Sequence, residues 1–221
     1  MKRLACMLLA AVCTAVLTAA EPYVCTRPGT TLHYVRRYAE NGRVKWVHDL
    51  KVSRVERSAD GSLRVFTSST FTKENGRPYY RNTVREQATV SADGTVTSDF
   101  GDAAAAFASA VAGITMKGSG STTAMAPDLK PGDALPDLQA TFGMGPVRYN
   151  VRVTERKVLR RETITVPAGT FDCIVISESK SEDGPAHHRL VTTLSWYAPG
   201  TGYVRHDTFA GGSLETTEQL E

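Results

Sequence analysis

The sequence predicts a mainly β fold, a single antiparallel domain of about nine to eleven strands interrupted by one helix. Three observations carry this. Asn41-Gly42, Asp60-Gly61, Asn75-Gly76 and Asp93-Gly94 recur between stretches rich in Val, Thr, Tyr and Phe, and such pairs readily take the positive φ angles of tight hairpin turns. The stretches alternate apolar with polar side chains, as in an antiparallel sheet with one packed and one wet face. Only one run, Ala103 to Ala112, has the composition of a helix.

The chain opens with Lys2-Arg3, an apolar run from Leu4 to Leu17 and the small residues Thr18-Ala19-Ala20. That is the layout of a secretory signal peptide over residues 1–20, leaving 21–221 as one domain. The run is shorter than the roughly 20 residues of a membrane span, and no later segment is long and uncharged enough to be one. Cys6 and Cys13 leave with the peptide. A lipoprotein is not expected: Cys13 lies within the apolar run behind Ala10-Ala11-Val12, and Cys25 follows Pro22-Tyr23-Val24 too far beyond it. The destination is the periplasm or the outside of the cell, which share this signal.

The long intervals between the turn pairs imply long strands and a strongly coiled sheet. Val44, Trp46, Leu50 and Val52 share one parity and Val55 breaks it, which predicts a bulge. Tyr80, Val84, Ala88 and Val90 share a parity against Arg81, Thr83, Arg85 and Gln87. The helix of 103–112 is expected to take Asp102 as N-cap and Gly113 as stop, and either to pack on the sheet or to plug the open side of a curved one. Residues 117–123, rich in Gly, Ser and Thr, read as a mobile loop. Strands resume with the alternating Val147, Tyr149, Val151 and Val153, followed by segments at 164–166, 173–177, 190–196 and 203–209, with turns at Asp183-Gly184, Gly200 to Gly202 and Gly211-Gly212.

Three blocks, Leu129-Lys130-Pro131-Gly132-Asp133-Ala134-Leu135-Pro136-Asp137, Val166-Pro167-Ala168-Gly169-Thr170-Phe171-Asp172-Cys173 and Trp196-Tyr197-Ala198-Pro199-Gly200-Thr201-Gly202-Tyr203-Val204-Arg205, resemble in order and spacing the TapB-like family of exported bacterial envelope proteins. Cys25, Pro28-Gly29 and Leu32-His33-Tyr34 fit the opening of that family. The resemblance implies a single open, strongly curved sheet, a half-barrel like those of lipoprotein carriers, with the helix packed on its concave side. It implies no activity and no catalytic residues. The blocks also have a plain physical reading, as strands running into Pro/Gly turns covered by aromatic side chains.

Charge and motif exclude several classes. Removing Lys2 and Arg3 from 26 basic residues leaves 24 against 23 acidic ones, so no nucleic-acid partner is expected. Arg36-Arg37 and the cluster from Arg156 to Arg161 adjoin acids, as on solvated strand faces. His187-His188 read as part of a solvated loop after Asp183-Gly184-Pro185, and in a strand the adjacent side chains would point to opposite faces, a poor metal pair. His48 would face the concave side, where a half-buried, hydrogen-bonded histidine is commoner than a lone ligand. His206-Asp207 has no Gly-x-Ser-x-Gly nucleophile, and Asp133 and Asp137 read as turn residues. No metal, cofactor or catalytic motif is present; the reading is a non-enzyme without cofactor. Two cysteines in an exported chain favour a Cys25–Cys173 disulfide over two unpaired thiols.

Two functional readings follow: an apolar cleft that binds a lipid or another hydrophobic small molecule in the cell envelope, and a non-catalytic module that holds an envelope protein through a sheet edge or polar face. A hydrolase ranks below both.

Overall fold

The computed structural model describes residues 20–221; the expected signal peptide lies outside the described residues except for Ala20. Thirteen strands and one helix follow in order: β1 (Thr31–Tyr38), β2 (Val44–Arg57), β3 (Leu63–Thr72), β4 (Val84–Val90), β5 (Val96–Asp99), α1 (Phe100–Ala112), β6 (Lys117–Gly120), β7 (Thr122–Met125), β8 (Leu138–Met144), β9 (Val147–Val166), β10 (Gly169–Gly184), β11 (His187–Ala198), β12 (Gly202–Ala210) and β13 (Ser213–Leu220). All strands lie in one sheet in the order β6-β8-β9-β10-β11-β12-β13-β1-β2-β3-β4-β5-β7. Most neighbours are hairpin partners, and β1 joins β13 from the far end of the sequence, with Tyr34 opposite Leu220.

The four early turns form as their composition dictates, with Gly42, Gly61, Gly76 and Gly94 all at positive φ. The parity break at Val55 is a register shift between Val52 and Arg54. One turn and one strand start differ from expectation. Asp183 and Gly184 still pair within the β10–β11 hairpin, so its turn falls at residues 185–186. Tyr80 precedes β4, in a connection that begins with the Gly76 turn.

The sheet is not an open half-barrel of nine to eleven strands. Its terminal strands β6 and β7 are separated by Ser121 alone: β6 pairs with β8 and β7 with β5. The Ser121 amide donates to Gln139 O, and Ser121 O accepts from the Phe100 amide, both at 2.9 Å. Residues 117–125 therefore cross from one end of the sheet to the other, and the result is a nearly closed barrel. The segment expected as a mobile loop is this closing strand. Its Gly-Ser-Thr composition mimics a loop, but the glycines serve close approach: a Cβ on Gly101 would lie 2.2 Å from the Ser119 carbonyl carbon, and one on Gly118 would lie 2.5 Å from Gly101 O.

The helix starts three residues earlier than expected. Asp99 is its N-cap, accepting a 2.8 Å hydrogen bond from the Asp102 amide; Asp102 lies in the first turn, where its charge complements the helix dipole. Gly113, at φ +73°, ends the helix as expected. Phe100 packs against Leu138, Val151 and Val153, and Ala106 and Ala110 against Trp46, Phe71 and Val84. The helix thus spans the concave side between strands from opposite halves of the sheet.

Candidate binding cavity

Inside the barrel, beside the first turn of α1, lies a cavity of about 840 Å³. Aligned positions of three strands build part of its wall, because the registers place Val52 opposite Thr67 and Thr67 opposite Glu86. Leu32, Leu50, Val65, Leu138 and Val153 supply apolar wall, and Tyr34 and Tyr203 add aromatic surface. A bulge at Glu155, the one non-glycine residue at positive φ among the described residues, precedes Arg156, which faces the cavity paired with Glu178 at 2.8 Å and also donates to Pro136 O.

Glu86 stands out. It shares a parity on β4 with the buried Val84 and Val90, so the same alternation turns its carboxylate toward the inner face. Glu86 is an exposed residue that borders the cavity; desolvation by the neighbouring protein raises its pKa, with His48 acting in the opposite sense. Among the described residues it has neither a hydrogen-bond nor an ion-pair partner. The sequence reading passed over it; the available signal was one charged residue in an apolar register.

Next to the cavity, a buried polar network ties together five strands. Glu218 on β13, 3 % exposed, accepts from Arg36 on β1 through Nε at 2.9 Å and Nη2 at 2.7 Å. Its other oxygen accepts from Trp46 Nε1 at 3.4 Å and lies 3.2 Å from His48 Nδ1, both on β2. His48 Nε2 lies 3.0 Å from Ser69 Oγ on β3, and Tyr203 Oη on β12 lies 3.1 Å from His48 Nδ1. Burial works to raise the Glu218 carboxyl, but the His48 hydrogen bond and the Arg36 charge outweigh it and hold its pKa at about 2. His48 is thus hydrogen-bonded, as read from the sequence, and more deeply buried than expected, stacked on Tyr34 and Phe71.

Ser69, His48 and Glu218 follow the order of a hydroxyl–imidazole–carboxylate relay. Ser69, however, is 4 % exposed in the middle of β3 and forms no part of the cavity wall, so a substrate carbonyl in the cavity does not reach it. The network's evident work is to satisfy polar groups inside the sheet.

The other sequence candidates are dispersed. His187 and His188 open β11, exposed, and pair separately with Glu182 and Asp183. Burial, then the Arg36 charge, lowers the His206 pKa to about 3, leaving a neutral ring whose Nδ1 lies 2.8 Å from Ser195 Oγ; Asp207 instead binds Arg205. Asp133 caps a turn, accepting from the Lys130 amide, and Asp137 has no part in the cavity. No group of three metal-ligating side chains occurs among the described residues.

The structure does not show the expected disulfide. Cys25 and Cys173 are free, buried thiols, held in different apolar clusters: Cys25 with Val52, Val65 and Val90, Cys173 with Val166, Val175 and Trp196. Burial pushes the Cys173 thiol up to about 12.

Residues 27–220, nearly the whole barrel, match the DUF3108-like family. The chain belongs to the DUF3108-like family. The TapB-like name suggested by the sequence blocks is not the one that matches. The DUF3108-like barrel is similar to two solved structures. One is a candidate exported protein with a YmcC-like fold from Bacteroides fragilis NCTC 9343, 21% identical, covering 91% of this chain and 98% of that one, with a TM-score of 0.74. The other is a candidate lipoprotein from Parabacteroides distasonis ATCC 8503, 18% identical, covering 92% and 99%, with a TM-score of 0.75. At these identities the likeness establishes the fold. No curated protein matches the sequence. No described helix is long and apolar enough to cross a membrane.

Proposed function

We propose that this DUF3108-like protein is exported to the cell envelope and holds a lipid or another apolar small molecule inside its barrel, without catalysis. The observation that carries the reading is the cavity itself. Its volume of about 840 Å³ lies in the range of small-molecule sites, roughly 300–1,000 Å³, and its wall sets an apolar patch of Leu32, Leu50, Val52 and Val65 beside a large polar share that includes six charged residues. A concave face filled by its own side chains would have argued against a ligand. The signal-peptide layout of residues 1–20 and the printed descriptions of the two structural relatives as exported protein and lipoprotein support the location.

The alternative, strand addition by an envelope protein at a sheet edge, is less favoured. The two terminal strands are four residues long and meet at Ser121, so the ends of the strand order offer little edge; the longer edge is the later part of β9, which β8 pairs only over residues 147–153.

The test is native mass spectrometry, with organic extraction, of the protein purified from the envelope of its own host. The expected result is a bound apolar molecule that is lost when Ala88→Phe fills the cavity while the variant keeps its fold by circular dichroism. A bare wild-type chain that also takes up no added long-chain alcohol would overturn the reading.

A further inference from the structure

We infer that the cavity selects apolar molecules that carry a cationic group, with the Glu86 carboxylate as the counter-charge. The inference rests on the proposed binding of an apolar molecule and adds to it a sign of charge and a contact residue.

The argument is an account of the charges at the cavity wall. Arg156 and Glu178 neutralise each other at 2.8 Å. Asp99 is engaged by the N-terminus of α1 through the Asp102 amide. Asp102 is an exposed residue of the first helical turn, where the helix dipole accounts for its charge. Arg85 also borders the cavity, but it neighbours Glu86 on β4 and therefore points to the opposite face of the strand. Glu86 is left as the inward charge with no partner, in a register whose other members, Val84 and Ala88, are apolar. Glu86 is exposed, but its place on the wall of a concave site, where the neighbouring protein raises its pKa by desolvation, screens a partner's charge less than an open surface would. An ammonium or guanidinium group supplies that partner through a charge-assisted hydrogen bond, while Leu50, Val52 and Val65 receive the apolar body. A carboxylate ligand would meet like charge.

The experiment measures binding of dodecylamine, dodecanol and dodecanoate, equal in chain length, by isothermal titration calorimetry below their aggregation concentrations. It uses the wild type and two variants, Glu86→Gln and Glu86→Lys, each checked for folding by circular dichroism. In the wild type, dodecylamine is expected to bind about tenfold tighter than dodecanol, the yield of one good charge-assisted hydrogen bond, with dodecanoate weakest. Glu86→Gln should remove the preference for the amine and leave dodecanol binding within about threefold of the wild type, and Glu86→Lys should transfer the preference to dodecanoate. Equal binding of amine and alcohol in the wild type, or an amine preference that survives in Glu86→Gln, would overturn the role of Glu86 while the apolar cavity stands. No binding of any probe to the wild type would overturn the cavity reading as well.

Discussion

Replacing Glu218 by Gln removes the charge at the centre of the buried network while keeping nearly the same volume. In the wild type, one carboxylate oxygen accepts from Arg36 at 2.7 and 2.9 Å, and the other serves Trp46 and His48. The Arg36 side chain is 13% exposed, so the variant leaves a largely buried guanidinium facing a neutral amide. The magnitude follows from the carboxyl's own titration. Its pKa falls from 4.5 to about 2 on folding, and at 1.36 kcal/mol per pKa unit this corresponds to about 3 kcal/mol of stability. Breaking a buried ion pair by removing one partner typically costs about 3–5 kcal/mol, which agrees. A carboxyl whose pKa is lowered by folding contributes its full stabilisation above the unfolded value of 4.5 and loses it as pH falls towards 2. Urea denaturation followed by tryptophan fluorescence, from pH 7 to pH 2.5, should therefore show Glu218→Gln about 3 kcal/mol less stable at pH 7, with the gap closing across the acid limb. A gap below about 1 kcal/mol at pH 7, or one that does not change with pH, would refute the assignment of Glu218 as the charged hub.

Closure of the barrel predicts that Gly118→Val, whose Cβ meets Gly101 O at 2.5 Å, costs about 2 kcal/mol or more in the same urea assay, since backbone cannot yield as a flexible side chain does. Asp99→Ala should lose the helix cap and about 1 kcal/mol, whereas Asp102→Ala should cost less; equal effects would restore Asp102 as the cap. Cys25 and Cys173, 2% and 4% exposed, should resist a thiol reagent such as dithionitrobenzoate in the folded chain from residue 21 onward, and both should react in guanidinium without reductant. Failure to react after unfolding would show the disulfide that the sequence led us to expect.

Much of the fold is legible in local chemistry. Asn41-Gly42 and Asp60-Gly61 mark turns because few residue pairs adopt positive φ so readily, and the change of parity at Val55 marks a bulge because the strand repeat is two residues. The run from Arg156 to Arg161 concealed the middle of β9, a 20-residue strand, because one of its buried positions beside Val158 is a charged residue, Arg156, paired with Glu178. The strand count ran low mainly because β5, β6 and β7 are four residues each, too short to show a period. His48 was singled out from the sequence; its partners Ser69, Tyr203 and Glu218 were not, since each is an ordinary polar residue on a different strand.

The sequence by itself determined the class of the protein: antiparallel strands, their turns and one Ala-rich helix. These follow from interactions between residues a few positions apart, which composition and period report. Only the tertiary structure decided that residues 117–125 close the sheet, that the two cysteines sit in separate clusters, and that Glu86 looks into a hollow interior. Each depends on how the strands assemble around one interior, with β7 joined to β5 and β6 to β8 and the registers setting Val52, Thr67 and Glu86 in one row. The same alternation that announces a buried face cannot say whether that face is filled by its own side chains or encloses a cavity.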